Sequence, residues 1–181
     1  MTTGRALLDM ARGMAPEPFE RVFGYGILDD IHNITDRPAL IVALMTQLRP
    51  DDLQLVRRLT LFELDHVRQQ ADYCDQSLLA CCWLLFRGGM VSDALLVWRA
   101  KKLGFLPGAM IDSALLAPAG PRATLAMAET LGFKELAHHM RIQAGPELED
   151  DISYWQHGTY WGQIPSADHA REDLARWITG S

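Results

Sequence analysis

The most apolar stretch of the sequence reads Leu78-Leu79-Ala80-Cys81-Cys82-Trp83-Leu84-Leu85-Phe86, and Gly88-Gly89 follows shortly after it. None of the quoted positions carries a charged side chain. A helix of this composition has no polar face, and such a helix is buried in the core of a protein. Glycine is typical of a helix C-terminus. The sequence therefore predicts a central buried helix over residues 78–86, with the other elements packed around it.

The rest of the chain shows helical periodicity on both sides of this stretch. Apolar residues recur three and four positions apart, and alternating runs rich in Val, Ile and Thr, which are typical of strands, are missing. Gly, Pro and Asp divide the pattern into short pieces. We predict an all-α protein, a single domain over residues 1–181 with about eight to ten short helices.

Individual helix boundaries follow from capping residues. Asp36 is predicted to cap a helix that has Pro38 in its first turn, and Thr60 with Glu63 forms a capping box that would begin a helix ending near residue 71. Later helices are predicted over residues 93–103, 109–116, 123–131 and 166–177.

The segments Leu103-Gly104-Phe105 and Leu131-Gly132-Phe133 share a pattern of helix, glycine and aromatic residue. Two such segments are compatible with stacked helix pairs, as in a helical-repeat scaffold. The interpretation that we favour is two ordinary helix ends, because glycine followed by a hydrophobic contact commonly ends a helix.

Composition limits the functional classes. The 181 residues are 49% apolar, but charged residues interrupt every apolar run before it could span a membrane and also interrupt the N-terminal segment, so neither membrane insertion nor export is expected. Three closely spaced cysteines, Cys74, Cys81 and Cys82, indicate buried thiols in a reducing compartment. We therefore expect a cytoplasmic protein.

The charge balance points to the kind of partner. With 23 acidic and 17 basic residues the formal net charge is −6, which disfavours nucleic-acid binding and favours a partner with a basic surface. Carboxylates beside aromatic rings are well suited to such a partner. The predicted partner-binding residues are Glu147, Glu149, Asp150, Asp151, Tyr154, Trp155, Tyr160 and Trp161, with Asp29 and Asp30 as a second acidic patch. The alternative is that the carboxylates are solvated helix caps and that Trp155 and Trp161 close the core.

An enzyme is the alternative class. Glu63-Leu-Asp-His66 and Glu135-Leu-Ala-His138 each place a carboxylate and an imidazole on one helix face, and the pair resembles the ligand pattern of ferritin-like di-iron proteins. The bridging carboxylates of that pattern are missing. No nucleophile elbow or phosphate-binding loop occurs either. We therefore predict a noncatalytic protein without a cofactor or metal.

One stretch carries a family resemblance. It contains Trp98-Arg99-Ala100-Lys101, Phe105, Asp112, Ala119-Gly120 and Thr124-Leu125. This order resembles a W-x-A-K…F…D…G-A-G…T-L pattern in a family of small helical bacterial proteins associated with immunity to polymorphic toxins. The chain departs from that pattern after Phe105 and before Ala119. The resemblance implies a protein that binds and neutralises a cognate toxin by occluding it.

Overall fold

The structure is a computed structural model that describes residues 3–24, 31–69 and 76–157. Its α-helices are α1 (Gly4–Arg12), α2 (Pro16–Phe23), α3 (Ile31–Gln47), α4 (Leu53–Gln69), α5 (Gln76–Gly88), α6 (Ala94–Lys101), α7 (Phe105–Met110), α8 (Pro121–Thr130), α9 (Lys134–Gln143) and α10 (Pro146–His157). Short 3₁₀ helices lie at Pro50–Asp52, Val91–Asp93 and Ser113–Leu116. These three ranges contain no strand, and the predicted all-α class is confirmed.

Helix α5 is the centre of the core. Its residues 77–86 are all buried, including both cysteines of the segment. Helices α3, α4 and α6 and the 3₁₀ helix Ser113–Leu116 contact it from different sides. The helix ends at Gly88, and Gly89 adopts a φ of 72°, a left-handed conformation that favours glycine. The prediction of a central buried helix is confirmed.

The other helices cover this centre. Helix α1 packs on α3 through one face that includes Leu7 and Leu8, and α2 adds the buried rings of Phe19 and Phe23. Helices α8 and α9 pack against each other, and α10 packs on Ser113–Leu116. The buried side chains form one continuous hydrophobic cluster. No helix in the described ranges combines the length and the hydropathy needed to cross a membrane.

The predicted capping box at Thr60 and Glu63 is wrong. Helix α4 begins earlier, at Leu53, so that Thr60 lies inside it and its hydroxyl donates a hydrogen bond to the Val56 carbonyl at 2.8 Å. The Glu63 carboxylate is buried and accepts a hydrogen bond from Arg37 Nε at 2.9 Å. The partner of Glu63 is thus the buried Arg37 guanidinium of α3 and not a backbone N–H at the start of a helix.

Two further boundaries differ from prediction. Helix α3 starts before Asp36 and contains Pro38 in its interior, where burial of residues 39–45 holds the helix together. The helix expected over residues 109–116 is instead the end of α7 followed by a 3₁₀ helix, because Asp112 caps the new turn by accepting from Ala114 N–H at 2.8 Å. Cys74 and the helix predicted over residues 166–177 lie outside the described residues.

The two Leu-Gly-Phe segments follow α6 and α8, and their glycines have different backbone conformations. Gly104 has an extended φ of 177°, whereas Gly132 has a φ of 77° and ends α8 in the left-handed region. Phe133 N–H also bonds the Ala128 carbonyl at 2.8 Å, which closes the α8 end in a way that Phe105 does not reproduce. The segments therefore share a sequence pattern without sharing one turn geometry.

Two basic side chains, Arg57 and Lys101, connect the stretch that carries the family resemblance to its neighbours. Asp93 accepts two hydrogen bonds from Arg57 on α4, at 2.6 and 3.0 Å. Lys101 Nζ donates to the carbonyls of Gly108 and Ile111, at 2.7 and 2.5 Å. Lys101 thereby ties α6 to the segment that contains α7.

Trp83 on α5 offers a direct test of the core. It is only 4% exposed, and its Nε1 donates to the Trp155 carbonyl at 3.1 Å. Replacing Trp83 by Ala should lower the free energy of unfolding by about 3–5 kcal/mol through cavity formation. Trp83→Phe, which keeps most of the ring volume but loses the hydrogen bond, should cost about 1–3 kcal/mol. Chemical denaturation measures both values, and an unchanged midpoint for Trp83→Ala would contradict the assignment of α5 as the centre.

The Arg37–Glu63 pair allows a second test. Both side chains are buried, at 3% and 2% exposure, and Arg37 also donates to the Phe23 carbonyl at 3.1 Å. Glu63→Leu alone should cost about 3–5 kcal/mol because it leaves a buried cation without its counter-ion. The double variant Arg37→Met/Glu63→Leu should recover much of that loss, as measured by a double-mutant cycle in urea. Additive losses would show that the two side chains do not act as a pair.

Candidate functional site

Helix α10 has one apolar and one acidic face. Leu148, Ile152 and Trp155 are buried, which places a stripe with helical spacing against the core. The positions between them put other side chains on the solvent side of the helix. Glu147, Asp150, Asp151 and Tyr154 are exposed there and follow the i, i+3, i+4, i+7 spacing of a single helix face. We call these four residues the acidic stripe.

The predicted role of Trp155 as a surface anchor is wrong. Its side chain is 3% exposed and belongs to the hydrophobic core, as the alternative interpretation proposed. Tyr154, in contrast, is 54% exposed, and its ring packs edge-on against the Trp155 indole with ring centroids 5.8 Å apart. Of these two neighbouring aromatic residues, Tyr154 is therefore the one that is exposed to solvent, and its ring packs against the buried Trp155 indole.

The structure separates the remaining predicted residues. Glu149 lies outside the acidic stripe and lines a cleft that also contains Arg122 at the start of α8. Tyr160, Trp161, Asp29 and Asp30 lie outside the described residues. Of the predicted partner-binding residues, the structure thus brings Glu147, Asp150, Asp151 and Tyr154 together on one surface.

The electrostatics of the acidic stripe centre on Asp151. Partial burial raises the pKa of the Asp151 carboxyl above its ordinary value, and the negative charges of Asp112, Asp150 and Glu147 raise it further. Asp112 caps the neighbouring 3₁₀ helix Ser113–Leu116, so its carboxylate extends the negative surface beyond α10. Within the described part of the chain, no Lys or Arg forms an ion pair with the carboxylates of the acidic stripe.

The di-iron alternative needs Glu63 and His66 on α4 and Glu135 and His138 on α9, and both glutamates have other partners. Glu63 is the buried partner of Arg37, and Glu135 forms a surface ion pair with Lys102 at 3.2 Å. His138 is exposed on α9. Among the described residues, no three His, Cys, Asp or Glu side chains are grouped closely enough to hold a metal ion. The two Glu-x-x-His units therefore do not form the ligand set that their spacing suggested.

A polar cluster beside α9 was missed by the sequence analysis. Ser113 Oγ lies 2.9 Å from His139 Nε2, and the imidazole packs against the Trp98 ring with centroids 5.1 Å apart. Burial lowers the pKa of His139, and the positive charges of Lys101 and His138 lower it further. A serine hydroxyl in hydrogen-bond contact with an imidazole corresponds to two of the three members of a catalytic triad.

The third member of such a triad is not provided. No carboxylate in the described ranges hydrogen-bonds to His139, and the Asp112 carboxylate is engaged as a helix cap. The Ser113–His139 contact therefore links the 3₁₀ helix to α9 without the geometry that activates a nucleophile. No local sequence signal could have found this contact, since it joins residues on separate elements.

Comparisons with protein-family models, curated proteins and solved structures give no match to this chain. The resemblance to toxin-immunity proteins therefore stays a prediction.

The raised pKa of Asp151 predicts a pH-dependent stability effect. Because the folded state disfavours the ionised carboxyl, ionisation destabilises the fold at pH values above the folded-state pKa. Asp151→Asn should therefore raise the melting temperature at neutral pH. This gain should shrink as the pH falls below the unfolded-state value, where the Asp151 carboxyl is protonated in both states.

Asp65→Asn is the matched control for this measurement. Asp65 is exposed on α4 and lies 3.3 Å from Arg68, so its removal should leave the melting temperature unchanged or slightly lower. An equal gain in both variants would trace the effect to overall charge and contradict the local repulsion described for Asp151.

Proposed function

We propose that this protein binds a partner protein with a basic surface through the acidic stripe of α10, and that it is an immunity-type protein which neutralises a toxin by occluding it. The observation that carries the proposal is the convergence of Glu147, Asp150 and Asp151 on one face, where no Lys or Arg of the described ranges forms an ion pair with them. Lys and Arg side chains of a partner would relieve this like-charge repulsion.

The mechanism is occlusion and has no chemical step. The net charge of −6 and the acidic stripe attract a cationic surface over long range, which speeds association. Tyr154 then supplies a large exposed ring, held against Trp155, as a rigid apolar anchor at one end of the acidic stripe. Contacts of this second kind mainly slow dissociation.

Asp112 extends the proposed surface. Its carboxylate lies close enough to Asp151 to affect the Asp151 pKa, and the 3₁₀ helix that it caps packs directly on α10. The partner therefore meets carboxylates from two elements whose relative position is fixed by the core. A preorganised surface of this kind loses little conformational entropy on binding.

The first experiment identifies the partner. An adjacent reading frame that encodes a large toxin would supply a candidate, and co-expression would show whether this chain restores growth. The triple variant Glu147→Gln/Asp150→Asn/Asp151→Asn should then slow association about tenfold and reduce its salt dependence, whereas Tyr154→Ala should mainly speed dissociation. Surface plasmon resonance at several salt concentrations separates the two effects.

A second triple variant controls for net charge. Glu17→Gln/Glu20→Gln/Asp65→Asn changes the net charge equally but alters exposed positions on α2 and α4. It should leave association close to wild type. Equal slowing in both triple variants would show that overall charge alone is responsible, and full protection by the acidic-stripe variant would place the interface elsewhere.

A further inference from the structure

A cleft lies between the end of α1 and the start of α4. Its volume is about 380 Å³, and its walls include Arg12, Arg49, Arg58 and Asp51, with Met14 and Leu55 as apolar neighbours. Clefts of this size are typical of small-molecule sites. In a protein of net charge −6, a cleft with three arginines is an unusual local environment.

The base of the cleft is fixed by a bidentate ion pair. Arg12 Nε and Nη2 donate to the two Asp52 carboxylate oxygens at 2.9 and 2.8 Å, and Nη2 also donates to the Gln47 carbonyl at 3.0 Å. Arg49 N–H donates to the same carboxylate at 2.8 Å. Burial alone would raise the pKa of Asp52, but these hydrogen bonds hold it below its ordinary value. Asp52 is therefore a neutralised, structural group.

Arg49 and Arg58 carry the other positive charges of the cleft wall, and the charge of Arg49 also helps to lower the pKa of Asp52. Arg49 and Arg58 form no ion pair in the described ranges, and the guanidinium of Arg58 lies 5.8 Å from the centre of the Phe19 ring, which orients it. The one other carboxylate of the cleft wall, Asp51, is exposed and forms no ion pair with a Lys or Arg in the part of the chain that the structure describes. Among the residues that line the cleft, three guanidinium groups are thus present with two carboxylates, which leaves an excess of one positive charge.

We propose that this cleft binds a small molecule through a dianionic oxyanion group, of which phosphate is the cellular example. Guanidinium groups bind phosphate oxygens with strong, charge-assisted hydrogen bonds. Arg49 and Arg58 supply these donors, the Arg12–Asp52 pair positions the backbone that carries Arg49, and Met14 with Leu55 contacts the apolar part of the ligand. This site is independent of the acidic stripe, since it uses different helices and opposite charge.

The test is titration calorimetry of the full chain with inorganic phosphate, sulfate and acetate at constant ionic strength. Phosphate and sulfate should give saturable binding, and acetate should bind more weakly because it carries one charge. Arg49→Gln should weaken phosphate binding about tenfold, and Arg49→Gln/Arg58→Gln should weaken it further. Asp51→Asn should strengthen it by removing the opposing carboxylate.

Arg5→Gln/Arg99→Gln is the matched control, because both arginines are exposed outside the cleft and the net charge changes equally. It should bind phosphate like the wild type, and amide NMR shifts on phosphate addition should be confined to residues near 12–14 and 49–58. Loss of binding in the control, acetate binding as tight as phosphate, or the absence of saturable phosphate binding would each overturn the proposal. Arg49→Gln keeps the test valid if Arg58→Gln disturbs Phe19, because exposed Arg49 does not pack in the core.

Discussion

The enclosure of α5 on every side is the constraint from which the arrangement of the other helices follows. A helix without a polar face exposes apolar surface in any orientation unless neighbours surround it. Here α3 and α4 come from the sequence before α5, and α6 and the 3₁₀ helix Ser113–Leu116 from the sequence after it. One of the polar atoms that α5 buries, Trp83 Nε1, donates a hydrogen bond to a carbonyl of α10. The core therefore fixes where α10 lies and which of its faces remains in solvent.

Three ion pairs with buried carboxylates set the positions of helices around this core. Arg37–Glu63 joins α3 to α4, Arg12–Asp52 joins α1 to the start of α4, and Arg57–Asp93 joins α4 to the start of α6. Apolar contacts alone would tolerate several rotations of these helices, whereas each pair is satisfied in one geometry. Because burying charges is costly, we interpret these pairs as determinants of the unique arrangement more than as sources of stability.

The structural features that depend on local composition could be predicted from the sequence. The predictions failed where residues that are distant in sequence determine the local structure. The apolar run 78–86 specified a buried helix because no other environment accommodates it. Thr60 and Glu63 matched a capping box, but they lie inside α4, and the partner of Glu63 is Arg37, far away in sequence. Trp155 could have been assigned to the core from its i+7 spacing to Leu148. The cleft around Arg49 and the Ser113–His139 contact had no such local signal.

Helix α10 couples the proposed binding surface to the core. The residues that anchor it, Leu148, Ile152 and Trp155, alternate along the same two turns with those of the acidic stripe, so the carboxylates cannot move apart without disturbing buried side chains. Freely mobile carboxylates would separate and relax toward ordinary pKa values. In α10 the buried Leu148, Ile152 and Trp155 fix the helix face that carries these carboxylates, and after desolvation their charges add to the raised pKa of Asp151. Such repulsion lowers the free energy of unfolding of the free protein, and a cationic partner would remove the repulsion. This pattern is expected where a binding surface is maintained at a cost in folding stability.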